Sequence, residues 1–279
     1  HPNSSKANVL CLSGFLFAWQ LITYILLPVV PLQPGLEASW TAFLTWAFEH
    51  KRQFGTEVIF TYGPWGFLGE PRGSMQIYPW QILGRALLAI GTSLWIALFG
   101  ISWIRSAPWR WVWAFTIAVL AEPSGLIPFL LFLATMPAES EFEGTRGALM
   151  LLAAVTGLAA CTKFTTFMLV ATLLPFLALR RNLWPCLATS VASFFFFWVL
   201  AGQNVLNIPQ FVLNSFEVSS GYSSAMVVGT PTDVFWWGIL ICGLPLLQWI
   251  RRGLAPPTLE NAGRFAWLAA CQFLTFRHG

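Results

Sequence analysis

Three ionisable residues stand in settings where a hydrophobic chain gains nothing from a charge unless it is used: Glu37, Glu122 and Lys163. Glu37 opens PGLEASWTAFLTWAFEH, in which Leu36, Trp40, Phe43, Leu44, Ala47 and Phe48 recur at helical spacing. A carboxylate in a first helical turn is favoured by the helix dipole. The same carboxylate, held just above a bilayer, is a general base for an acceptor hydroxyl. Glu122 lies between AVLA and PSGL. A carboxylate there is costly unless it pairs or faces water, or it caps the helix that starts at Pro123. Lys163 is the lone cation of the apolar run 147–179. It either snorkels to an interface or offers a fixed ammonium as a phosphate clamp.

A second tier lies in two polar, aromatic stretches. Glu57, Tyr62, Trp65, Arg72 and Arg85 fall in or just after the first, and Glu217, Tyr222 and Asp233 in the second. Singly, each reads as a solvated loop residue. Together, Glu57, Tyr62, Trp65, Arg72, Glu217 and Tyr222 would line a chamber suited to carbohydrate or prenyl chains, which take aromatic walls with a few polar anchors. His50 adjoins Lys51 and Arg52 and reads as part of a solvated face. The chain holds no phosphate-binding loop, dinucleotide fingerprint, zinc-protease motif or nucleophile elbow. The five cysteines, Cys11, Cys161, Cys186, Cys242 and Cys271, lack metal-ligand spacing and read as small hydrophobes. No metal site or cofactor is assigned; a divalent cation is compatible with Glu37 and Glu122, but no spacing requires one.

The elements that must position these residues are membrane elements. The sequence is 57% hydrophobic and 9% charged, with a mean hydropathy of +0.67, against about a quarter charged in soluble domains. Its 16 Trp suit a chain with many membrane–water boundaries. The net charge of +4 is scattered, which gives orientation and no nucleic-acid footprint. Apolar runs at 9–30, 80–104, 111–136, 147–179, 185–201, 234–250 and 265–276 predict an all-α, polytopic transmembrane bundle of about eight or nine spans. The run 111–136 breaks at EPSG, since Pro123 disfavours helix at the residue before it. The run 147–179 is too long for one span of ordinary tilt and divides at CTK, 161–163. The chain reads as a single membrane domain over 1–279 and, opening on His1 and stopping at FLTFRHG, as a piece cut at both ends.

With those two runs taken as helix pairs, Lys6, Arg105, Arg110, Arg146, Arg180, Arg181, Arg251, Arg252 and Arg264 all fall on the cytoplasmic side. External loop 1 (31–79, carrying the amphipathic helix), Glu122, Lys163 and a second external loop (202–233) then share the opposite face. Within loop 1, the Gly and Pro of FGTEVIFTYGPWGFL turn the chain and leave Phe60, Tyr62, Trp65 and Phe67 to roof a site at the membrane surface.

An early loop acid (Glu37), an acid before a proline turn in AEPSGLIPFLLFL (Glu122) and the Thr-Lys of GLAACTKFTTFML occur in that order. This resembles the C-type membrane glycosyltransferases, the group that includes protein O-mannosyltransferases and the lipid A aminoarabinose transferase. The stretches EASW…FGTEVIFTYGPWGFL and NSFEVSSGYSSAM look like a bacterial branch related to that superfamily. The resemblance implies a lipid-linked donor, a sugar on polyprenyl phosphate, at a site facing the periplasm from the bacterial cytoplasmic membrane. It implies Glu37 as catalytic base, Glu122 as a second acid and Lys163 on the donor phosphate. Both acids here are Glu where the family often has Asp, and Ala38 and Ser39 follow Glu37 where several branches carry a second acid. Two rival readings use the same charges: a transporter or lipid flippase, which predicts two similar halves, and a non-catalytic membrane assembly protein, which predicts the three charges far apart.

Overall fold

The computed structural model describes residues 11–12, 14–19, 22, 36–69, 75–103, 108–109, 111–112, 146–179 and 183–225. Glu122, Arg72 and Asp233, the runs 234–250 and 265–276, and all but the first two residues of 111–136 lie outside them. So do Lys6, Arg105, Arg110, Arg180, Arg181, Arg251, Arg252 and Arg264.

The described residues are all-α. They form α1 (Leu36–Glu49), α2 (Tyr78–Trp103), α3 (Arg146–Ala160), α4 (Phe164–Leu179), α5 (Trp184–Leu200) and α6 (Ile208–Ala225), with 3-10 turns at Gly66–Leu68 and Val205–Asn207. Residues 11–12 and 14–19 are also helical. The helix expected in loop 1 is α1, although it buries Thr41 and Thr45 beside Leu44 and Ala47 and leaves Phe43 of the expected apolar face exposed. The run 147–179 divides at 161–163 into α3 and α4.

Two helix ends are built alike. At the end of α1 the Lys51 amide donates to the Phe48 carbonyl and the Arg52 amide to that of Ala47. At the end of α5, Gly202 donates to Val199 and Gln203 to Trp198. Both are Schellman caps, whose reversing residue is left-handed. Gly202 adopts φ 76 without strain, whereas Lys51 holds φ 51 with a side chain attached.

Packing centres on α3. It crosses α5 so closely that a Cβ on Gly157 would meet the backbone carbonyl carbon of Ser193 at 2.7 Å. Small residues permit such an approach, as they do between membrane helices. The Ser193 hydroxyl then donates to the Ala154 carbonyl, and the Cys161 thiol to that of Phe194 at 3.6 Å. On its other side α3 meets α2, where Gly91 lies against Val155.

Helix α5 turns its few polar side chains inward and only apolar ones fully outward. Cys186, Ser190 and Ser193 face inward with Phe194, Phe197 and Trp198, while Trp184, Ala188, Ala192, Phe195, Phe196, Val199 and Leu200 are exposed. A water-facing helix has the opposite pattern.

Two expectations need correction. Among the described residues no single helix is long and apolar enough to cross a membrane, and the helices number fewer than the eight or nine spans expected. For α3 and α4 the shortfall is length: their 15 and 16 residues each rise about 23 Å, short of the roughly 30 Å hydrocarbon core. One bent pair, Trp184–Leu200 with Val205–Gly221, passes the length and composition test together at a bend of 109°. Second, the stretch read as external loop 202–233 contains an 18-residue helix, α6. Ile208, Phe211, Val212 and Ser215 are its i, i+3, i+4, i+7 face, with Phe211 and Ser215 buried. Gln210 and Asn214 between them, and the polar Ser215 on the face itself, mask that period.

Candidate functional site

The site is made where loop 1 returns to the α3–α4 break. Gly63 donates its amide to the Thr162 carbonyl at 3.0 Å, Trp65 to that of Cys161 at 3.0 Å, and Phe164 to that of Thr61 at 2.7 Å. Tyr62 and Lys163 thus pair as an isolated antiparallel bridge. The break frees backbone groups at a helix end, and the loop supplies partners for them. Gly63 is required here, since a Cβ would collide with the Cys161 carbonyl.

Pairing Tyr62 with Lys163 builds a cationic, aromatic shelf. The Lys163 ammonium lies 5.4 Å from the centroid of the Tyr62 ring, within cation–π range. Tyr62 stacks on Trp40 of α1 at 4.6 Å and on Phe60 at 5.5 Å. All four side chains are half-buried, so the shelf is sheltered without being sealed. Among the described side chains, of which Glu37's is not one, no carboxylate lies within ion-pair distance of Lys163. Phe164, the next residue, packs edge-on against Phe216 of α6 at 4.9 Å. Glu37 lies in the first turn of α1, three residues before Trp40. Positions three apart occupy one side of a helix.

The other predicted site residues divide. Glu57 closes a turn: its Oε2 accepts from the Gln53 amide at 2.8 Å, and Oε1 lies 3.6 Å from Arg52 in an exposed ion pair. Trp65 is 1% exposed and donates Nε1–H to the Phe197 carbonyl at 2.8 Å. With Phe48, Phe67 and Trp80 it forms the aromatic anchor of the loop, beneath the shelf. Arg85 is buried and donates to the carbonyls of Leu68 and Gly69, closing the end of the 3-10 turn at Gly66–Leu68. Glu217 is exposed on α6, and Tyr222 lies in the last turn of that helix. His50 is exposed, as expected, with its ring stacked on Trp46 and Nδ1 2.9 Å from the Trp46 carbonyl oxygen.

Two glutamines that sequence reasoning passed over hold this end of the molecule together. Gln203 accepts from the Phe54 amide at 2.8 Å and donates to the Arg52 carbonyl at 2.9 Å. Gln53 answers by donating to the Gly202 carbonyl at 3.0 Å and accepting from the Asn204 amide at 2.8 Å. Each glutamine follows one Schellman cap and satisfies the backbone of the other. Further on, Asn214 donates to the Gly55 carbonyl and Ser215 to that of Phe60. Loop 1, the α3–α4 break and the second polar stretch therefore meet in one place. Glu49 also went unremarked; its Oε1 is buried with no hydrogen-bond partner among the described residues.

Among the described residues no group of three or more His, Cys, Asp or Glu is placed to hold a metal ion. Compared with family models, with curated proteins and with solved structures, the chain finds no match.

Proposed function

We propose that this chain is the membrane part of a glycosyltransferase-like enzyme, a polytopic α-helical bundle acting on the extracytoplasmic face of a bacterial membrane. Its donor would be a sugar on polyprenyl phosphate. The observation that carries the reading is the shelf itself: a lysine with no carboxylate partner among the described side chains, beside three stacked rings, at the same end as the helix whose first turn holds Glu37. Aromatic faces suit sugar and prenyl groups, and an unpaired ammonium suits a phosphate. The lipid-facing polarity of α5 supports the membrane part of the reading.

In the reaction so read, Glu37 takes the proton of an acceptor hydroxyl. The acceptor oxygen bonds to the anomeric carbon from the face opposite the phosphate, and the bond from that carbon to the phosphate oxygen breaks. Both electrons leave with polyprenyl phosphate, whose added charge Lys163 balances. The anomeric configuration inverts. Glu122 serves as a second acid by the family resemblance.

The test is release of polyprenyl phosphate by the full-length protein in membranes, across a panel of polyprenyl-phosphate sugars. Glu37→Gln keeps shape and removes the base, so release falls by about a hundredfold or more. Equal release by wild type and variant removes Glu37 from the mechanism, and no release with any donor shifts the reading to transport.

A further inference from the structure

The exposed surface of α6 is divided lengthwise. Pro209, Leu213 and Phe216 share one flank, at spacings of four and three. Gln210 and Glu217 are exposed on the other, seven apart; half-buried Asn214 edges that flank toward loop 1, donating to the Gly55 carbonyl and accepting from the Gln210 amide at 2.8 Å. Leu213 is 64% and Phe216 49% exposed. The helix therefore has three sectors: a face buried on loop 1 through Phe211 and Ser215, a bare apolar flank and a bare polar flank.

The apolar flank continues a larger surface. The outward side of α5 is apolar along its length, and the chain bends by 109° between α5 and α6. At that bend Val205 and Leu206 are exposed, Leu206 at 82%. Beside the bend, held there by the two glutamines, lies the tip of α1. There Arg52 sits 5.2 Å over the Trp46 ring, and Trp46 stacks on Phe43. Exposed Trp beside Arg and Lys is what anchors a segment at the headgroup layer. A soluble partner would have to cover an apolar flank and a strip of Gln, Asn and Glu together. A lipid–water boundary accepts the two side by side.

We infer that α6 lies in the lipid–water interface, turned out of the direction of α5, with Pro209, Leu213 and Phe216 on acyl chains and Gln210 and Glu217 in water. Phe216 contacts Phe164, so the arrangement puts Lys163 at headgroup depth, where the phosphate of a lipid-linked donor travels. The inference rests on the membrane part of the proposed function and is independent of the transfer chemistry.

A photo-crosslinking amino acid is placed in the full-length protein, in its membrane, at 213, 216, 210 or 217, and at 192 and 196 on the outer side of α5. Lipid adducts are read by mass shift. Adducts at 213 and 216 exceeding those at 210 and 217 several-fold, with adducts at 192 and 196, are expected. Lipid adducts at 192 and 196 but none at 213 and 216 overturn the placement of α6 and leave the membrane reading standing. Adducts at none of the six overturn both. A crosslinked protein dimer through 213 or 216 shows that a second copy covers the flank, and overturns the inference. Because each position is substituted separately on an exposed surface, a failure to fold at one leaves the others to decide.

Discussion

At the scale of single residues, the shelf makes a claim that Lys163 can test. Its ammonium stands over the Tyr62 ring, and no described side chain uses it as an ion pair. A lysine kept for packing would be replaced by methionine at little cost, since the stem is conserved in length. A lysine kept for a phosphate would not. Lys163→Met is therefore expected to leave the thermal midpoint of the full-length protein within a few degrees of wild type. It should raise the KM for a lipid-phosphate donor at least about tenfold, the effect of losing a charge-assisted contact worth about 1.5 kcal/mol. Arginine at this position would restore part of the binding. Equal KM values for wild type and methionine variant would return Lys163 to the role of an interface anchor. Much of this was legible, because a lone charge in an apolar run is visible in any sequence. Which aromatic faces it was not. Phe60, Tyr62, Trp65 and Phe67 look alike in a loop without periodicity, and only the backbone pairing at 61–65 turns the first two to the shelf and the last two to the core.

At the scale of elements, apolar length and its interruptions placed most of the helices. Glu37 and the period after it mark α1. CTK splits α3 from α4, and Pro185 sits in the first turn of α5. The hidden element was α6, whose apolar face carries only four or five residues among Asn, Ser and Gly. The crossing of α3 on α5 was equally hidden, since Gly157 is one of several glycines in apolar runs. Its role follows from the approach of Ser193. Gly157→Ala forces the helices apart or the backbone to shift, and overpacking of this kind costs about 1–3 kcal/mol. Thermal unfolding in lipid nanodiscs should show it as a lowered midpoint, whereas Gly147→Ala, with open space around it, should not. Lys51 gives the opposite sign. It occupies a left-handed cap without being glycine, so Lys51→Gly is expected to stabilise by about 0.5–1 kcal/mol. A midpoint lowered by that change would mean that the lysine side chain contributes more by packing on Gly202 than its backbone costs.

At the scale of the whole molecule, the question is what joins segments about 150 positions apart in sequence, as the Gln53–Gly202 separation of 149 records. Apolar burial brings α3, α4 and α5 together and seats Phe54, Trp65 and Phe67 of loop 1 in the same core, but it does not join the two helix caps. The reciprocal glutamines do. Gln203 is buried and satisfies the Phe54 amide, itself buried, and the Arg52 carbonyl. Leaving one buried polar group unpaired costs about 1–3 kcal/mol, so Gln203→Leu should destabilise by at least that amount. Gln53 serves the other cap through a more exposed side chain, and Gln53→Leu should cost less. Since both hold the same junction, the double variant should cost less than the sum of the singles, with a coupling of about 0.5 kcal/mol or more. Strict additivity would mean that each glutamine stabilises only its local turn. The joint also reaches the shelf, because the loop that begins at Gln53 ends on Cys161 and Thr162. Freeing its near end with Gln203→Leu should loosen the Tyr62–Lys163 pairing and raise KM for a lipid-phosphate donor, although residue 203 lies outside the shelf. A variant that loses stability but keeps KM would show instead that the pairing at 61–65 holds the shelf alone.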